Sequence, residues 1–159
     1  MSGAQKMALV NFVRSGRGFI GVHSATDTFY TWPDYLDLIG GYFNGHPWHQ
    51  TVTIEVADAG DPMVAFLGNS LKLDDEIYQI SDFDYRGSHV LLRLAPSSVD
   101  LSKPGVHPRF YGWPLAWTRS YGEGRVFYMA LGHEASVWQD PRYQRILTNA
   151  ILWSTRRSP

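Results

Sequence analysis

Four histidines carry most of the chemistry open to this chain: His23, His46, His49 and His133. His23-Ser24 ends the apolar run Gly18-Phe19-Ile20-Gly21-Val22. His133-Glu134 follows Arg125 to Leu131 across Gly132. Each pair therefore stands where a buried strand runs out. If the two strands are parallel neighbours in an open sheet, both exits face one crevice. His46 and His49 lie in the loop Phe43–Gln50, after the first of these units, and can reach the same crevice.

Three chemistries compete for these residues. In the first, His23, His46, His133 and Glu76 hold a divalent metal such as zinc, with His49 and Glu134 in support. The ion would activate water or polarise a carbonyl. No two histidines have the HxxxH spacing of a helical zinc motif, and the His46/His49 spacing is compatible but common. In the second, Ser24 is a nucleophile, His133 its base and Glu134 the orienting group. This reading is weaker, because Gly21-Val22-His23-Ser24-Ala25 places His23 at the centre of the elbow where Gly-x-Ser-x-Gly has serine. In the third, His23 and His133 transfer protons with no metal, since an imidazole titrates near neutrality. Candidate catalytic residues are thus His23, Ser24, His133 and Glu134, and candidate substrate contacts are Asp27, Trp48, His49 and Trp117.

Plainer readings stand beside these. His23 and Ser24 can simply satisfy loop backbone groups. Gly45-His46-Pro47 can be only a turn, and Asp74-Asp75-Glu76 a solvated acidic loop. His89 and His107 read as surface or strand-edge histidines.

Composition narrows the function classes. Hydrophobic residues make up 44% and charged residues 18% of the 159 residues, a globular balance rather than a disordered one. The net charge is -1 and no basic cluster exceeds Arg156-Arg157, which argues against nucleic acid as a partner. No apolar run reaches membrane-spanning length and no signal pattern opens the chain, so a cytoplasmic location is expected as written; an upstream extension would change this. Cysteine is absent, which removes disulfides and thiolate chemistry. Aromatics reach 14%, with Trp32, Trp48, Trp113 and Trp138 beside loop residues, as a site that stacks on sugar rings would need.

The elements that must position these residues follow from periodicity. Gln5–Ser15 reads as a helix, ended by Gly16, and Phe19–Val22 as a near-continuous apolar strand. A second helix opens at Pro33, with Tyr35, Leu36, Ile39 and Tyr42 as its stripe. Thr51–Val56 alternates as a half-exposed strand. Met63–Leu67 reads as a short helix, 68–75 as loop, and Glu76–Ile80 as a short strand. His89–Ala95, Leu115–Arg119 and Arg125–Leu131 read as strands, the last two joined by a hairpin at Tyr121–Gly124. Pro96–Pro114 is a long irregular connection. Asp140-Pro141 starts a last helix with Tyr143, Ile146, Leu147, Ala150 and Ile151 on one face. Starting on a helix is unusual for such a unit, which normally has a strand before it.

The segments Gly18–Ala25, Gly45-His46-Pro47, Asp75-Glu76-Ile77-Tyr78, Pro114-Leu115-Ala116-Trp117, Tyr121–Tyr128 and Ala130-Leu131-Gly132-His133 resemble, in order and over nearly the whole chain, the ThuA-like (trehalose utilisation) family. The resemblance implies an α/β fold of the glutamine-amidotransferase-like superfamily: a flavodoxin-like three-layer sandwich with a mainly parallel sheet. It implies one domain over residues 1–159 that lacks its N-terminal strands, and so an exposed sheet edge that leaves a homodimer open. His23 stands where amidotransferases of this superfamily carry a cysteine, so amidotransferase activity is not expected. One departure is Gly112-Trp113-Pro114, where many relatives have an acidic residue or His before the proline.

The function implied is carbohydrate catabolism, with a small-molecule disaccharide, glycoside or keto-sugar derivative hydrolysed or isomerised. The cofactor implied is a divalent metal, or none. No membrane or nucleic-acid partner is expected. A non-catalytic carbohydrate-binding or regulatory module is the alternative, and an inactive fragment a third.

Overall fold

The structure is a computed structural model and describes residues 1–107 and 111–157. Pro108, inside the long connection expected from Pro96 to Pro114, lies outside the described residues.

Helix α1 (Gly3–Arg14) starts on a capping box. Gln5 N–H donates to the Ser2 hydroxyl, and Ser2 N–H donates to the Gln5 side chain. It turns at Gly16 (φ +102°) into strand β1 (Gly18–Val22). Helix α2 (Pro33–Ile39) has Pro33 in its first turn and ends at Gly40, whose φ of +91° stops it before Tyr42. Tyr42 belongs instead to strand β2 (Tyr42–Phe43), which pairs antiparallel with β5 (Ile80–Ser81). Asn44 N–H to the Gln79 carbonyl and Gln79 N–H to the Gly45 carbonyl extend that small ladder up to His46.

The main sheet has six strands in the order β1, β8 (Gly124–Met129), β7 (Pro114–Tyr121), β6 (Ser88–Leu94), β3 (Trp48–Val56) and β4 (Ser70–Ile77). Only β1 and β8 pair parallel; every other neighbouring pair is antiparallel. The expectation of a mainly parallel sheet is therefore corrected: the chain forms a mixed, mostly antiparallel α/β sheet. The cause lies in the connections. The two-residue turn Gly122-Glu123 can return a strand only antiparallel, and the β3–β4 connection carries no crossover α-helix.

The segment 68–75, expected as loop, is largely strand β4, and Trp48 to Gln50 open β3 rather than close a loop. The expected helix Met63–Leu67 shrinks to a 3-10 turn over Ala65–Leu67.

β8 is buried along nearly its whole length, between α1 and α2 on the one hand and α4 (Pro141–Ser154) on the other. Asp140 caps α4 through the Arg142 N–H. A short helix, α3 (Ala135–Gln139), joins β8 to α4. Trp48, Trp117, Phe127 and Tyr128 are fully buried, each such ring contributing several kcal/mol of burial (about 1.5–3 for a Phe-sized side chain).

Candidate metal centre

β1 delivers His23 to the end of the sheet. Immediately after Val22 the backbone enters the left-handed region at His23 (φ +46°), an uncommon conformation for a residue with a Cβ. Three groups hold it there. The Tyr128 hydroxyl donates to the His23 carbonyl at 2.7 Å, with the Thr26 hydroxyl 2.7 Å from the same phenol. His23 Nδ1 donates to the Ala130 carbonyl at 2.7 Å. The Tyr78 hydroxyl and His23 Nε2 share a hydrogen bond at 3.0 Å. A carbonyl can only accept, so Nδ1 carries a proton and Nε2 is the nitrogen turned toward Tyr78, Glu76 and His133 at the sheet end.

Two further side chains, His133 and Glu76, approach that nitrogen, and His46 stands behind Glu76. His133 Nδ1 lies 3.3 Å from His23 Nε2 and 3.1 Å from Glu76 Oε2. Glu76 Oε2 is 3.9 Å from His23 Nε2. Glu76 Oε1 faces His46 Nδ1 at 3.2 Å. One ligand atom each from His23, Glu76 and His133 falls within 4.8 Å of the others; His46 stands outside that trio, against the far oxygen of Glu76. Glu76 is 6% exposed, whereas the His46 and His133 side chains are about half exposed, so the carboxylate forms the floor and two imidazoles the rim.

Asp75, next to Glu76 on β4, is fully buried. Its Oδ2 accepts the Gly132 N–H at 2.7 Å, and its Oδ1 accepts the N–H groups of His133 and Glu134 at 3.1 and 3.0 Å. Glu134 turns outward and pairs with His49 at 2.7 Å. The His49 ring meets His133 edge-on, 5.4 Å between centroids. Burial, reinforced by the Glu76 carboxylate, pushes the Tyr78 phenol above its ordinary range, so it remains a donor.

The structure thus brings together His23, His46, His133 and Glu76, with His49 and Glu134 beside them. It does not assemble the Ser24 triad: Ser24 is exposed, His133 turns to Glu76, and Glu134 is taken by His49. Asp27 lies at the surface, accepting the Tyr30 hydroxyl at 2.5 Å, and its charge is felt by Tyr78. Trp48 and Trp117, expected as substrate contacts, have no exposed surface; their indole N–H groups donate to the carbonyls of Asp100 and Ile39. The residues that periodicity overlooked are Asp75 and Tyr78. For Asp75 the signal lies in the continuation of the β4 stripe: Leu71, Leu73, Asp75 and Ile77 occupy one face.

A second grouping lies beyond the other end of β3. His89 Nε2 sits 3.3 and 3.5 Å from Asp58 and Asp61, beside a groove of about 640 Å³ that Tyr85, Arg93 and Tyr111 help to line. Each aspartate also accepts a turn N–H, from Gly60 and Met63, and all three side chains are partly or largely exposed. This grouping is accounted for as an ordinary surface ion pair.

A mixed α/β sheet with a His/Glu cluster where two parallel strands end defines a domain built to present a polar centre at a sheet edge. The chain belongs to the trehalose utilisation (ThuA) family, whose model matches residues 1–154. A crystal structure of a ThuA-like protein from Bacteroides uniformis superposes with a TM-score of 0.80 at 28% identity, covering 96% of this chain and 64% of that one. One from Parabacteroides merdae gives 0.75 at 18% identity, covering 98% and 67%. The chain therefore spans about two thirds of these relatives' length. At 16% identity, all of it also matches 22% of a β-galactosidase from Bacillus circulans, TM-score 0.61, a likeness of fold alone. No curated protein matches it. No helix among the described residues is long and apolar enough to cross a membrane.

Proposed function

We propose that this protein acts on a glycoside, disaccharide or keto-sugar derivative at a divalent-metal centre held by His23, Glu76 and His133. One observation carries the reading. A four-coordinate ion with bonds of about 2.0–2.2 Å keeps its ligands roughly 3.3–3.6 Å apart. The separations here are 3.1, 3.3 and 3.9 Å. The donor set, two imidazoles and a carboxylate, leaves a fourth position open, as a catalytic rather than a structural zinc site does.

When bound, such an ion supplies a polarised carbonyl or a water made nucleophilic at neutral pH. The chain's own residues do the rest. Ala130 fixes the His23 tautomer, Tyr78 offers a hydroxyl proton beside the ligands, and His46 lines the rim over Glu76. An activated water suits hydrolysis of a glycoside and a polarised carbonyl suits isomerisation of a keto-sugar, and a neighbouring hydrogen-bond donor can assist either.

The test is elemental analysis of purified protein, followed by turnover of a panel of disaccharides and keto-sugars before and after chelation. Stoichiometric zinc or a related ion, with turnover lost on chelation and restored by metal, is expected. Protein that takes up no divalent ion and whose turnover ignores the chelator overturns the metal centre. Sugar binding without any turnover makes the chain a binding module instead.

A further inference from the structure

We infer that Asp75 is the positioning residue of this centre: its buried carboxylate clamps the turn Gly132–Glu134 and so sets His133 against Glu76. The inference rests on the metal reading above for its consequence, but its geometry stands separately.

Asp75 is fully buried, and among the described residues no cationic side chain pairs with it. A carboxylate in that position is costly unless its oxygens are satisfied. Satisfaction comes wholly from three consecutive backbone N–H groups, those of Gly132, His133 and Glu134. Gly132 makes this possible. Its φ of +117° turns the chain so that successive amides converge, and a Cβ there would collide with the Tyr143 hydroxyl.

Asp75 continues the buried face of Leu71 and Leu73, where an apolar side chain would leave those three N–H groups without this acceptor. What the carboxylate adds is control of the turn that carries His133 toward Glu76 and Glu134 toward His49. Strand β4 thereby supplies a ligand, Glu76, and the clamp for another ligand from the adjacent residue. One peptide unit fixes the spacing between them.

The experiment is Asp75→Asn, of nearly the same shape but with one acceptor replaced by an NH₂ donor that faces an N–H. Zinc affinity, read by competition with a chromophoric chelator, should fall roughly 10–100-fold, the range for losing an outer-shell partner. Amide hydrogen exchange at Gly132, His133 and Glu134 should speed up by about tenfold or more while central β8 amides keep their protection. Asp74→Asn, at an exposed neighbour that pairs with Thr51, should change neither. An Asp75→Asn protein with wild-type zinc affinity and wild-type exchange at the three amides overturns the inference. Should the variant not fold, exchange in the wild type decides: unprotected amides at Gly132–Glu134 sink it and protected ones support it. A wild type that takes up no zinc sinks the metal reading and leaves exchange alone to judge the clamp.

Discussion

His23 Nε2 and His133 Nδ1 stand 3.3 Å apart, although 110 residues separate them in the chain. The approach follows from the single parallel pairing of the sheet. β1 and β8 run side by side in register from Gly18 with Arg125 to Val22 with Met129, and both chains turn out of the sheet at the same end. The distance suits either one proton shared in a hydrogen bond or one cation held by both nitrogens.

Replacing either imidazole should therefore remove the centre. His23→Ala and His133→Ala are each expected to lower zinc affinity by at least 100-fold, measured by calorimetry. His46→Ala, outside the trio of ligand atoms, should cost clearly less. Equal losses for all three would make His46 a ligand on the same footing.

Alkaline stability should report on Tyr35. Its hydroxyl donates to the Ala25 carbonyl at 2.6 Å, in the turn just after His23. Burial, with a smaller contribution from Tyr42, pushes its phenol from 10.0 up to about 12. A phenol held neutral in the folded chain ionises first in the unfolded one. Its stabilisation is thus full below pH 10 and is lost as pH climbs toward about 12. Urea denaturation between pH 9 and 12 should show a slope to which the raised phenols of Tyr30, Tyr42, Tyr78, Tyr128 and Tyr143 also contribute, and Tyr35→Phe should make it shallower. An unchanged slope in the variant counts against Tyr35 as one of its sources.

Gly132→Ala should be destabilising by roughly 1–3 kcal/mol, through a strained φ and the Tyr143 hydroxyl. Chemical denaturation measures the loss. Zinc affinity should fall with it, because the same residue aims His133. A variant as stable as the parent would show that the turn relaxes freely.

Trp117→Phe separates packing from substrate contact. The indole is fully buried and donates to the Ile39 carbonyl at 2.8 Å. Leaving that carbonyl without its partner should cost about 1–3 kcal/mol, while sugar affinity of the folded protein stays the same. A drop in sugar affinity at unchanged stability would return Trp117 to the list of substrate contacts.

Much of this architecture was legible in the residues, and the failures have physical causes. The two polar strand exits, the capped last helix and the Tyr121–Gly124 hairpin read directly, because apolar periodicity and turn residues are local signals. Strand direction is not local. The apolar run of β8 looks alike in a parallel and an antiparallel sheet, so the mainly parallel expectation had nothing to check it. β4 was hidden because a carboxylate interrupts its core face. Asp75 takes the place of an apolar residue, and Asp74-Asp75-Glu76 then looks like solvated loop although two of the three are buried. Trp48 and Trp117 looked available because a tryptophan near loops carries no mark of which way its ring turns.

Among the described residues β1 pairs in the sheet with β8 alone. A cation gripped by both His23 and His133 would fasten this strand to its neighbour like a rivet. Occupancy of the centre and closure of the β1–β8 pair would then rise and fall together.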